Sequence, residues 1–345
     1  MSVLVYMGHP AHFHLFKNSI ERLHEKNVKV TVVIKSKDVL EQLVKDKGYP
    51  YINVSDAGGK GSAYLNFFSR LRKLSSVIRK EKPRLLAGSA AELAILGRLH
   101  RLPSYIFFED DFEAVPRFAR IAGPLATKLI CPHCCSAWKW DHKKTGYNSY
   151  HELAYLHPAH FSPDFSRVQH IFKTGEKHFI LRFAQLTAYH DAGKTGITTQ
   201  MAQQLIDILS AHGKVFITSE RALEPQFEKY RIRIAPLDIH HALYFANMYI
   251  GDSQTMTAEA AVLGTPALRF NDFVGELSYL EELEKKHHLT YGFRTSQPEA
   301  LLEKVKMLVE RPSLKEDWQI RRAKMLANCA DLSVFMTGLL EAKPF

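Results

Sequence analysis

Short runs rich in Val, Ile and Leu alternate along this chain with longer stretches whose apolar positions recur at helical spacing. The short runs read as strands buried on both faces and the longer stretches as amphipathic helices; their alternation predicts parallel strands joined by crossover helices. In the first half the pattern predicts strands over residues 3–6, 28–34, 84–87, 104–107 and 127–131, and helices over 13–26, 37–47, 64–80 and 90–100. The glycine-rich segment 56–62, DAGGKGS, reads as a mobile loop. Residues 157–177 carry Pro158 and Pro163 and no clear period, and read as a linker. A second series follows, with strands over 178–182, 214–218, 248–251 and 266–269 and helices over 198–212, 239–246, 255–263 and 298–310.

The expected fold is therefore α/β, with two Rossmann-like domains over 1–160 and 175–325. A carboxyl-terminal helix in 326–345 is expected to pack back on the first of them. The length of 345 residues agrees, since one domain usually spans roughly 100–200 residues. The opening MSVLVYMGHP ends its apolar run at a turn signal, so it reads as a first strand and not an export signal. No window holds the ~18 uninterrupted apolar residues of a membrane-spanning helix, and a cytoplasmic protein is expected.

Composition adds two constraints. The four cysteines, Cys131, Cys134, Cys135 and Cys329, are too few and too unevenly placed for a disulfide framework. The formal charge of +10 suits phosphates or an anionic membrane face, or is a solvated surface. Lysine and arginine are spread along the chain and form no nucleic-acid-binding arm.

In parallel sheets ligands bind beyond the carboxyl ends of the strands, so candidate chemistry is sought there. The segment 251–266, GDSQTMTAEAAVLGTP, is a strand end, a small polar turn and a helix opening, which suits a diphosphate. Gly251, Ser253, Gln254 and Thr255 would hold the phosphates, and Glu259 would accept from ribose hydroxyls. The alternative is a plain helix start, although Thr255 as N-cap lacks the acidic partner of a capping box at Ala258. Arg182 follows a strand and can grip a diphosphate; its alternative is a surface ion pair. His190 and Asp191 would extend that site or belong to a solvated loop.

In the first half, His9, His12 and His14 follow the first strand. Their spacing is poor for zinc, so His12 and His14 are candidate catalytic or phosphate-contacting groups, or else capping and packing residues. Glu109, Asp110 and Asp111 end another strand, where like charges would raise the pKa of one and make it a general acid or base; a helix cap is the other reading. Cys131 and Cys134 form a Cys-x-x-Cys with no second pair, so no metal is expected there. His151 and Glu152 lie in a loop expected to face the cleft.

Several segments carry a resemblance that spans nearly the whole chain in matching order. GHPAHFH at 8–14, YHELAYLH at 150–157, LRF at 181–183, DIHHA at 238–242 with His241, and the Gly251 turn resemble the bacterial and archaeal domain of unknown function 354 family. The turn also resembles the donor-binding turns of GT-B glycosyltransferases and non-hydrolysing UDP-N-acetylglucosamine 2-epimerases. The epimerases carry two glycines where this chain has Gln254 and Thr255. They also carry a His-Arg pair in the loop of Arg182 and a proton-transferring glutamate after the strand of Glu109. The resemblance implies a GT-B-like fold whose two domains face a central cleft, with the nucleotide mainly on the second. It implies a nucleoside diphosphate sugar as substrate, UDP-linked by expectation, with no cofactor and no metal. The leading reading is a glycosyltransferase of surface polysaccharide or glycolipid synthesis, with a lipid-linked acceptor at the inner membrane face. A nucleotide-sugar 2-epimerase and a non-catalytic nucleotide-sugar-binding protein are the alternatives.

Overall fold

The structure is a computed structural model and describes residues 2–55, 63–184 and 196–342. The glycine-rich segment at 56–62 and the pair His190 and Asp191 lie outside the described residues. The chain divides into two compact units, Met1–His160 with Ala330–Phe345, and Phe161–Cys329.

Unit 1 contains a seven-stranded sheet of β1 (Ser2–Met7), β2 (Lys29–Ile34), β3 (Tyr51–Asn53), β4 (Leu85–Gly88), β5 (Ser104–Phe107), β6 (Lys128–Pro132) and β7 (Lys144–Tyr147). The spatial order is β3-β2-β1-β4-β5-β6-β7, and all pairings are parallel. The connecting helices are α1 (Pro10–Glu25), α2 (Leu40–Asp46), α3 (Ala63–Glu81), α4 (Ala91–His100), α5 (Pro116–Leu125) and α6 (Leu153–Leu156). In α1 the buried residues Phe13, Phe16, Ile20 and Leu23 recur every three or four positions and lie in the core. Burial of each such side chain contributes roughly 1.5–3 kcal/mol before ordering costs.

Unit 2 contains a five-stranded sheet of β8 (His178–Phe183), β9 (Lys214–Ser219), β10 (Met248–Gly251), β11 (Ala267–Phe270) and β12 (Thr290–Phe293). Its order is β12-β11-β10-β8-β9, again all parallel. The helices are α7 (Thr199–Ser210), α8 (Ile239–Phe245), α9 (Gln254–Val262), α10 (Ser278–Lys285), α11 (Pro298–Val309) and α12 (Leu314–Leu326).

The last helix, α13 (Leu332–Glu341), belongs to unit 1 and packs on α1 and α6. Asp331 caps it by accepting from Val334 N at 3.2 Å, and the same carboxylate meets His160 Nε2 at 2.9 Å. Ser333 Oγ donates to Ala154 O at 2.6 Å, and Ala330 N donates to Asn148 O at 2.8 Å. Among the described residues no helix is long and apolar enough to cross a membrane.

Strand order fixes where ligands can enter. In unit 1 the order reverses between β1 and β4, and in unit 2 between β8 and β10. At such a reversal the crossover helices leave to opposite faces and open a crevice at the carboxyl ends of the two strands. Gly251 ends β10 directly beside Arg182 of β8. The chain thus brings the arginine and the polar turn to the crevice of unit 2.

Candidate functional site

The unit 2 crevice is built around a turn with little freedom. A Cβ on Gly251 would lie 2.4 Å from the Tyr249 hydroxyl and 2.8 Å from Arg182 Cβ, so only glycine fits without displacement. Ser253, not Thr255, is the N-cap of α9; its backbone is extended and its hydroxyl accepts from Met256 N at 3.4 Å. Gln254 and Thr255 then occupy the first turn, where backbone N–H groups lack intrahelical partners and the helix dipole favours an anion.

Asp252, absent from the sequence-derived candidates, is the centre of this turn. Its side chain is buried, with Oδ1 accepting from Ala184 N at 2.6 Å and Oδ2 from Ile197 N at 3.2 Å. Its carbonyl accepts from Asn271 Nδ2 at 2.9 Å, and Asn271 in turn accepts from Phe273 N at 3.0 Å. One residue therefore joins the end of β8, the approach to α7 and the loop after β11. Burial raises the Asp252 carboxyl to about 6, against the lowering effect of the two backbone N–H bonds.

Two arginines border the crevice. Arg182 Nη1 donates to Thr218 Oγ1 at 2.7 Å and Nη2 pairs with Glu220, so the ion pair weighed as its alternative role is present. Arg221, which sequence reading missed, donates from Nη2 to Ile197 O at 2.7 Å and lies 5.2 Å over the Phe183 ring. In both arginines the buried Nε has no hydrogen-bond partner among the described residues. Arg182 stands beside Gly251, and Arg221 is near enough to Asp252 to favour its ionised form.

Glu259 departs from expectation. Read from the sequence as an acceptor for ribose hydroxyls, it is 5% exposed and its Oε1 lies 2.9 Å from His240 Nε2. The cause is the character of α9, whose residues from Met256 to Val262 are buried all round, so that α8 covers the glutamate. His241, the other candidate here, is also buried; its Nδ1 accepts from Asp164 N at 3.0 Å, which ties down the start of unit 2.

In unit 1 the three histidines diverge. His9 is the N-cap of α1, with Nδ1 accepting from Ala11 N at 3.2 Å. His14 is buried against Tyr155, with ring centroids 5.0 Å apart, and so packs towards α6. His12 Nδ1 accepts from Gly8 N at 3.1 Å, which leaves the proton of the neutral ring on Nε2. Burial, reinforced by His9 and His151, lowers His12 to about 3. It can donate a hydrogen bond but is a weak base.

The three acids diverge too, so they do not form one like-charge cluster. Asp111 is buried and accepts from Ser136 N at 2.6 Å, which makes it a loop anchor. Asp110 stays half-buried beyond β5. Glu109 turns to His151, with Oε2 3.2 Å from Nδ1. Tyr147, another residue missed from sequence, stacks on His151 at a centroid distance of 6.2 Å. Its phenol is buried near Cys131, Glu109, Cys135 and Glu152, and burial pushes its pKa well up. Glu152 is itself buried before α6. Glu109, His151, Tyr147 and Glu152 thus form one polar cluster at the carboxyl ends of β5 and β7.

Cys131 and Cys135 are buried free thiols, Cys134 and Cys329 are half-buried, and Cys135 Sγ donates to Glu109 O at 3.0 Å. Among the described residues no group of three or more His, Cys, Asp or Glu side chains is placed to hold a metal ion.

Burial also lowers His151 to about 3, and the sign of the resulting pH effect follows. His12 and His151 are neutral in the fold but bind protons when unfolded below their ordinary value of 6.5. Stability therefore falls as pH drops from 6.5 towards about 3. One such histidine costs roughly 1.4 kcal/mol at a pH one unit below its unfolded value. Urea unfolding of His151→Gln should show a pH dependence smaller by about that amount. An unchanged dependence would mean that the folded ring takes up the proton.

Two parallel α/β units, each with its crevice at a strand-order reversal, make this a GT-B fold. The chain belongs to the family described as Protein of unknown function (DUF354), whose pattern matches residues 1–272. The search of curated proteins gave no match. Among solved structures it resembles the spinosyn rhamnosyltransferase SpnG complexed with thymidine diphosphate, at a TM-score of 0.68 and 13% identity over 98% of this chain and 99% of that one. It also resembles the UDP-GlcNAc 2-epimerase of Neisseria meningitidis bound to UDP-GlcNAc, at 0.65 and 14% identity over 98% and 100%. The glycosyltransferase VinC in complex with dTDP gives 0.64 and 14% identity over 99% of each chain.

Proposed function

We propose that this protein is a glycosyltransferase that takes a sugar from a nucleoside diphosphate, UDP by preference, in the assembly of a surface polysaccharide or glycolipid. The observation that carries the reading is the unit 2 crevice, where Arg182 stands beside Gly251 and the turn that opens α9 at the β8–β10 reversal. Such an array matches a diphosphate in charge and in donor geometry. Transfer requires an acceptor oxygen to bond the anomeric carbon while the bond from that carbon to the phosphate oxygen breaks. The nucleoside diphosphate leaves with the electron pair, and the Arg182 guanidinium would stabilise that charge without a metal or other cofactor. The acceptor proton must pass to a base. Within unit 1, Glu109 is a better proton acceptor than His12, whose Nδ1 is already occupied.

The same polar cluster supports a second reading, a nucleotide-sugar 2-epimerase, because moving a proton on carbon needs acid and base groups close together. A thermal-unfolding panel with UDP, dTDP, GDP and CMP tests the common part of both. A ligand at about a hundredfold its Kd should stabilise the fold by roughly 2.7 kcal/mol. No stabilisation by any of the four would remove the nucleotide reading. Release of UDP from a UDP-sugar only when an acceptor is supplied would separate transferase from epimerase.

A further inference from the structure

The three most exposed large apolar side chains of the described residues are Leu99 at 68%, Leu65 at 67% and Phe68 at 65%. All three lie on α3 and α4 of unit 1. Helix α3 faces its own unit with Leu74, Ser75 and Ile78, which are buried. Its outward stripe reads Leu65, Phe68, Arg72, Ser76 and Arg79, at successive three- and four-residue steps, and contains no carboxylate. Ser75 Oγ lies 2.8 Å from His100 Nε2, so α4 ends against the buried side of α3, and Arg98, Leu99 and Arg101 at that end are exposed. The neighbouring acids are engaged elsewhere, Glu81 with Lys29 at 2.9 Å and Glu92 with Arg70 at 3.3 Å.

Among the described residues, the exposed stripe of α3 sets apolar groups among arginines with no acid between them, which is unfavourable in water and matches one environment well. We propose that the α3–α4 face of unit 1 docks on an anionic lipid surface. Leu65, Phe68 and Leu99 enter the boundary between headgroups and acyl chains, and Arg72, Arg79, Arg98 and Arg101 meet the lipid phosphates. The charge on this face selects lipid over a second copy of the chain, which would set its arginines against the same arginines across a two-fold axis. The inference uses this surface alone, and its failure would leave the nucleotide reading untouched.

Flotation with phosphatidylcholine vesicles, with and without phosphatidylglycerol, tests it on the full chain. The protein should float with the anionic vesicles only, and less as salt rises. Leu65→Ser with Phe68→Ser should weaken binding by about tenfold or more. Arg72→Glu with Arg79→Glu should weaken it by roughly 25-fold or more. The control pair Lys306→Glu with Lys324→Glu, exposed residues of unit 2, changes net charge equally and should retain binding. UDP-dependent thermal shifts and far-ultraviolet circular dichroism, compared with the parent chain, report whether each variant is folded. The proposal is overturned if the parent chain floats with neither vesicle or if the control pair abolishes binding as fully as the arginine pair. It is also overturned if light scattering finds a dimer that the Leu65 and Phe68 changes split while vesicle binding persists.

Discussion

Asp252→Ala is expected to be the most damaging single change in unit 2. It strands the N–H groups of Ala184 and Ile197, which now end on a buried carboxylate at 2.6 and 3.2 Å. Leaving a buried donor without a partner costs roughly 1–3 kcal/mol, so a loss of about 2–5 kcal/mol is expected in urea unfolding. Nucleotide binding should fall by at least about tenfold as well, because the backbone beside Arg182 is no longer held to the turn. Asp252→Asn is the informative companion. It keeps one acceptor but turns an NH2 group toward the other N–H, so it should lose about half the stability of the alanine variant. Full stability in both variants would show that Asp252 does not hold the turn.

Arg182→Ala should cut UDP affinity by roughly ten- to a hundredfold, which corresponds to about 1.5–3 kcal/mol for a charge-assisted contact. Uridine affinity should change by less than about threefold, since the arginine's partner is the diphosphate. The ion pair with Glu220 makes the experiment sharper. If Arg182 exists only to pair that glutamate, Glu220→Gln and Arg182→Ala will alter stability alike and leave binding alone. If it grips the diphosphate, Glu220→Gln will leave UDP affinity intact or raise it, because a competing carboxylate is gone. Calorimetric titration of both variants decides between these outcomes.

The fold class was legible because both halves alternate buried strands with amphipathic helices, and both turn motifs carry glycine at strand ends. Missed strands have plain reasons. β3 is three residues long, β7 reads KTGY at a sheet edge, and β12 reads TYGF with a glycine inside. The Gly251 turn and Arg182 were legible as a strand end and its neighbour. Asp252 was not, because its importance lies in which backbone groups its carboxylate meets, and those belong to residues 184 and 197. The burial of Glu259 was not legible because a helix buried all round has no polar stripe from which to infer the direction of one side chain. The acid run at 109–111 misled for a related reason. Adjacent residues beyond a strand point different ways, so Glu109 reached His151 while Asp111 reached Ser136.

Helix α13 has a consequence for how the protein is made. The groove between α1 and α6 is filled by a segment translated only after residues 161–329. Unit 2 is one uninterrupted stretch and can close as soon as it emerges, whereas unit 1 must wait with Leu332, Met336 and Leu340 missing from its core. A nascent or truncated chain ending before α13 therefore exposes apolar surface on the half that was synthesised first. In living cells that half is the part of the molecule most in need of chaperones and most open to proteolysis.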